Sequence, residues 1–277
     1  MKKRILSLLI TGVLFLALSF NVYAGGRSQN QNQAQNQSHG NVLTVGATPV
    51  PHAALLNLIK DDLAAQGITL RIEEFTDYLM PNMALVSGDL DANFFQHVLY
   101  LESNADWAAK LVSAFGVHIE PLGLYSTKYG NISELPNGAT IAIPNDPSNG
   151  ERALRLLQAN GLITLRSGLG TSVTLRDIAD NPKNLRFREL EAAMLPRSLD
   201  DVDAAAINGN YALAAGLDPL KDSLIIEDSE SPYVNIVAVR RGSEQDARII
   251  ALKNALLSPK VKNFINNTYN GGVVAAF

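Results

Sequence analysis

Residues 140–158 read TIAIPNDPSNGERALRLLQ, and the way this stretch folds decides the architecture. "TIAIP" is a short apolar run that ends at a turn-forming Asn-Asp-Pro cluster, which reads as a buried strand. Pro147 suits the approach to a helix, and Ser148 with Glu151 three positions later forms a capping box. Leu154 and Leu157 then supply one apolar face. The stretch is therefore a strand followed directly by a helix.

The same alternation continues outward on both sides. Upstream, "VLTVG" (42–46) reads as a buried strand, "HAALLNLIKDDLAAQ" (52–66) as a helix with Gly67 at its exit, and "ITLRIEEF" (68–75) as an alternating strand. Downstream, "NLRFREL", "SLIIE" and "YVNIVAVR" read as strands and "GNYALAAG" as a helix. The tail "EQDARIIALKNALLSPKVKNFINN" reads as two helices broken near Pro259. Strands alternating with helices predict an α/β fold with largely parallel sheets. The length from Asn41 onward suits two lobes with a ligand cleft between them. No internal repeat is present.

The first residues carry an address. "MKKR" is a basic start, "ILSLLITGVLFLALSF" an unbroken apolar run, and "NVYA" a small-residue exit with Val22 and Ala24 flanking Tyr23. This pattern predicts a signal peptide over residues 1–24. Its removal takes away Lys2, Lys3 and Arg4 and no acid, moving the formal charge from −4 to −7. Residues 25–41, rich in Gln and Asn, hold too few apolar side chains to order themselves and read as a flexible tether. The acidic balance argues against nucleic acid as a partner. The chain has no cysteine, which excludes disulfides, thiolate metal sites and a cysteine nucleophile.

Four stretches carry candidate chemistry. Arg152 falls in the first turn of that helix, a place that ordinarily favours acids. It points either to an anion site or to a pairing with Glu151, Asp146 or solvent. Asn208, at the turn before "GNYALAAG", is a candidate N-cap. Asn235 sits in an apolar strand, as a satisfied structural amide or as one whose partner arrives with a ligand. "NFFQHVLY" (93–100) gathers Phe94, Phe95, His97 and Tyr100 in a chain with only 6% aromatics; packing in the core is the simplest reading, and a pocket wall the other. The four histidines lack metal-motif spacing, so no metal and no cofactor is expected. No nucleophile–base pattern supports an enzyme.

In order along the chain, "SGDLDANFFQHVLYLE", "IAIPNDPSNGERALRLLQ", "LEAAMLPRSLDDVDAAAINGNYA", "IEDSESPYVNI" and "GGVVAAF" resemble the NlpA (MetQ-like) family of methionine-binding proteins. The resemblance implies the two-lobed periplasmic-binding-protein fold (type 2-like). It implies a non-catalytic, monomeric protein outside the cytoplasm that passes methionine to the permease of an ABC importer. It implies ligand contacts at Tyr78, Phe95, His97, Tyr100, Arg152, Asn208 and Asn235. The lobes are expected at residues 42–123 plus 237–277 and at 124–236, hinged near "PLGLYSTKY" and "SPYVNIVAVR". The resemblance names no acid for the ligand ammonium. Another amino acid or a small peptide as ligand, an enzyme on the same fold, and an adhesin are the competing readings. The family is usually acylated on a cysteine after the leader, where this chain has Gly25 and Gly26. That departure leaves a freely soluble member, a retained upstream anchor or a replaced cysteine.

Overall fold

The computed structural model describes residues 40–277, apart from 171, 229 and 230. The expected leader, and the tether except for Gly40 and Asn41, lie outside the described residues.

Two sheets organise the chain. The first contains β1 (Val42–Ala47), β2 (Thr69–Glu74), β3 (Ala92–His97) and β4 (Leu111–Ile119). The chain then enters the second sheet through β5 (Gly123–Tyr125) and β6 (Thr140–Pro144). A two-stranded ribbon follows, β7 (Thr164–Leu165) with β8 (Ile178–Asp180). β9 (Arg186–Leu190), β10 (Ala204–Ile207) and β11 (Ser223–Ile226) complete the second sheet. β12 (Val234–Arg240) and β13 (Val274–Ala275) return to the first. The orders are β13-β4-β12-β3-β1-β2 and β11-β5-β10-β6-β9.

The sheets are mixed rather than largely parallel. β1 runs parallel to β2 and β3, and β6 parallel to β9 and β10. β12 is antiparallel to both its neighbours, and β5 to both of its own. The reason is the route of the chain. It passes between the sheets twice, between Ile119 and Gly123 and between Ile226 and Val234, and β5 and β12 each run against both neighbours.

Helices cover both faces of each sheet, giving separate cores. Leu43, Val45 and Phe94 of the first sheet are fully buried against Leu55, Leu56, Leu252 and Val261. In the second, Ile141 and Ile143 meet Ala153, Leu154 and Leu157. The tail folds as predicted, into helices Ala247–Leu256 and Pro259–Tyr269, with Ser258 capping the second. The helix expected over 52–66 is interrupted at Ile59, and Gly67 leaves it at φ +77°, a conformation that glycine adopts without a Cβ penalty.

The helix after β6 spans Pro147–Ala159. Its cap is Asp146, whose carboxylate accepts from the Asn149 N–H at 2.8 Å. Ser148 is therefore inside the first turn, not at the cap, because Pro147 takes the first helical position. Glu151 closes no capping box. It pairs with Arg155 at 2.7 Å and accepts from the Ser172 N–H.

A cavity between the two sheets

Along β3 the side chains alternate. Phe94 points into the core beside His52, with ring centroids 4.7 Å apart. Phe95 points the other way, into a different cluster with Tyr78 and Tyr100. His97 ends the strand, and its Nδ1 accepts the Tyr100 N–H at 3.1 Å, capping the helix Val98–Glu102. The aromatic stretch is thus divided by strand geometry, one ring to the core and the rest to a wall.

That wall bounds a small cavity of about 20 Å³, too tight for an amino acid until the walls part. Tyr78, Phe95, His97, Tyr100, Arg152, Asn208 and Asn235 all line it. Gln96, Glu120, Asn149, Gly209 and Asn210 complete the lining. Tyr78 stacks near Phe95, Tyr100 and Tyr211, at centroid distances of 5.8, 5.6 and 4.9 Å. Its hydroxyl donates to Asn210 Oδ1, and the Tyr211 hydroxyl donates to the Thr76 carbonyl at 3.1 Å. These bonds join the two sheets at one end of the cavity.

Arg152 lies in the second turn of its helix and is buried. Its partner is neither Glu151 nor Asp146. Nε and Nη2 donate to the Glu227 carboxylate, and Nη2 also donates to the Glu120 carbonyl at 2.8 Å. The guanidinium sits 4.2 Å from the Tyr233 ring centroid. Arg152 therefore holds both crossings at once. Among the described residues its Nη1 makes no hydrogen bond.

Asn208 stands at the N-cap position of the helix Gly209–Ala214, but its side chain does not cap. Its Nδ2 donates to Asn149 Oδ1 at 2.7 Å, while its Oδ1 is buried without a partner. Asn149 is the link that the sequence reading missed. Its Oδ1 also receives His97 Nε2 at 3.3 Å, and its Nδ2 donates to Asp146. Asn235 lies in register with His97 on one side and His118 on the other. Its Oδ1 meets His52 Nε2 at 3.1 Å.

Glu120 was also missed. Its Oε1 lies 2.7 Å from His118 Nε2 and 3.1 Å from His52 Nε2. The Thr48 hydroxyl holds His52 Nδ1 at 2.7 Å. Burial pushes the His52 imidazole down to about 4, although Glu120 pulls it upward, and pushes His118 and His97 down to about 3. These rings are neutral near pH 7. Burial also raises the Glu120 carboxyl, against the opposing pull of His52 and Arg152. The ligating atoms of His52, His118 and Glu120 fall within 4.8 Å of one another. Their short separations are already those of hydrogen bonds. A signal was present in the sequence: "HIE" places His118 and Glu120 two apart in an apolar strand, hence on one face.

A family model for the NlpA lipoproteins matches residues 43–277. The chain is 44% identical over 276 residues to the membrane lipoprotein TpN32 of Treponema pallidum, covering 99% of each. It is 40% identical to the methionine-binding lipoprotein MetQ of Bacillus subtilis, over 94% of this chain and 97% of that one. Its structure is similar to that of a nutrient binding protein from Burkholderia cenocepacia bound to methionine, with a TM-score of 0.81 and 47% identity, covering 85% of this chain and 100% of the other. The two-sheet architecture is the two-lobed periplasmic-binding-protein fold. With the match running from the first described strand to the last residue, the chain belongs to the NlpA lipoprotein family.

Proposed function

We propose that this chain is an extracytoplasmic binding protein that captures methionine unchanged and delivers it to an ABC importer. The observation that carries the reading is the polarity of the cavity. One side is a wall of Tyr78, Phe95 and Tyr100. The other offers a free guanidinium edge on Arg152 and an unpartnered acceptor on Asn208. A polarizable thioether suits aromatic walls, at about 0.3–1.5 kcal/mol per contact. A buried arginine suits an α-carboxylate. Asn235 spends its carbonyl on His52, which leaves its amide N–H groups to support the same carboxylate. The names of the B. subtilis and B. cenocepacia relatives support the same ligand. At the ceiling of about −1.5 kcal/mol per non-hydrogen atom, a ligand of this size reaches nanomolar affinity in a fully closed cleft.

The lobes, 42–119 with 234–277 and 123–226, close as a monomer by bending at the two crossings. Tyr78–Asn210 and Tyr211–Thr76 are the contacts that open with them. Among the described residues no helix is long and apolar enough to cross a membrane. Export, and attachment if any, therefore rests on the segment before Gly40.

Native mass spectrometry of the exported protein, purified from ordinary medium, tests this function. A bound mass equal to methionine is expected. A different bound mass moves the ligand to another amino acid or peptide. An empty protein that stays empty after methionine is added overturns the reading.

A further inference from the structure

A second opening lies between the lobes, beside the ligand cavity. We propose that this groove is the docking surface for the importer's permease, which enters it with a basic segment carrying apolar side chains. This rests on the importer reading above.

The groove holds about 550 Å³ and is lined from both lobes, by Pro49, Val50 and Asp77 on one side and by Glu191, Met194 and Arg197 on the other. Asp77 Oδ1 accepts the Leu79 and Met80 N–H groups at 2.7 Å, so the helix Met80–Ser87 starts at the rim. Met80 and Met83 share a face of that helix. Leu79, Met80, Met83 and Met194 are each about half exposed. Apart from Met1, the chain has no other methionine. The remaining exposed large apolar side chains among the described residues, Leu99, Leu220 and Ile250, each stand alone on their segments. Methionine is unbranched and polarizable, and a surface that collects it adapts to a partner.

Charge selects the partner. Among the described residues neither Asp77 nor Glu191 has an ion pair, although Arg197 stands on the same rim. Both carboxylates act on the buried Tyr211 hydroxyl, so two acids from different lobes flank one opening. A lysine or arginine entering between them meets both. A second copy of the chain would bring the same two acids against these.

The position ties docking to the state of the lobes. Asn210 lines both the groove and the cavity and takes the Tyr78 hydroxyl. The groove therefore keeps its width only while that contact joins the lobes. A segment fitted to closed lobes is rejected when they stand apart.

The double variant Asp77→Asn with Glu191→Gln removes both charges and keeps an oxygen to cap Leu79 and Met80. It is tested by calorimetry of the purified protein with methionine, and by uptake of labelled methionine in cells with no other methionine importer. Affinity within about threefold of the unmutated protein is expected, with uptake reduced about tenfold or more. Uptake within about twofold of the unmutated level overturns the proposal, and so does a loss of affinity that accounts for the loss of uptake. Met194→p-benzoylphenylalanine, photo-crosslinked in the same cells, identifies the partner. An adduct with the permease is expected. An adduct with a second copy of this chain alone, or no adduct, overturns the proposal. If the unmutated protein binds no methionine, the ligand reading falls, and the surface stands or falls on the adduct.

Discussion

The chain passes between its sheets twice, and each passage brings a glutamate to Arg152. Glu227, on the second, meets the guanidinium side-on and also accepts the Leu122 N–H at 3.0 Å. Its charge is matched within the protein. Glu120, on the first, lends Arg152 only its backbone carbonyl, and its carboxylate rests on two neutral imidazoles. Its charge feels Arg152 only through space, and the Asn210 N–H is a further donor. The same residue type, on the same arginine, thus does two jobs. Glu227 fixes the arginine and ties the crossings together. Glu120 gathers two imidazoles behind the cavity.

The largest expected effect removes what both crossings share. Arg152→Ala should weaken methionine binding by about 2–5 kcal/mol, the cost of truncating one partner of a buried charge pair. It should also lower the melting temperature, since Glu227 loses its partner. Unchanged affinity in calorimetry would remove Arg152 from the site.

The second prediction concerns the histidines behind the first crossing. In the unfolded chain they titrate near 6.5, and in the folded chain His52 does so at about 4 and His97 and His118 at about 3. The unfolded state therefore takes protons first as pH falls. Stability present above about pH 6.5 is lost progressively as the pH falls toward about 4, on the order of 3 kcal/mol for each imidazole. The raised Glu120 carboxyl works in the opposite sense, since the folded form then takes its proton first. Urea midpoints measured across that range should fall. A flat profile would mean that the imidazoles are not held neutral.

Gly209→Ala is next. The new Cβ would strike Glu120, at a cost of about 1–3 kcal/mol for overpacking. Methionine affinity should fall, since Gly209 and Glu120 both line the cavity. Unchanged affinity would separate Gly209 from the site. The smallest effect on affinity belongs to Glu227→Gln, although leaving the buried Arg152 without its charge partner should cost about 3 kcal/mol of stability. Methionine affinity should not fall, since the freed guanidinium faces the ligand carboxylate alone. A loss as large as that of Arg152→Ala would mean that Glu227 belongs to the site.

Local signals were legible wherever one segment sets the outcome. The strand "TIAIP", the helix after Pro147 and the break at Pro259 follow from neighbouring residues alone. All seven residues named from the family resemblance line one cavity. The departures come from contacts distant in sequence. Arg152 finds Glu227, 75 positions away, which no local pattern could pair. Asn149 gains importance because Asn208 and His97 converge on it. Glu120 gains it because the first crossing ends beside Gly209. The misplaced cap at Ser148 is different, since proline at the first helical position already pointed to Asp146.

The most direct test of the account is a calorimetric titration of L-methionine into folded, ligand-free protein. The account predicts one site per chain with a dissociation constant tighter than about 1 μM. The absence of heat or competition from a protein whose circular dichroism shows it folded would contradict it.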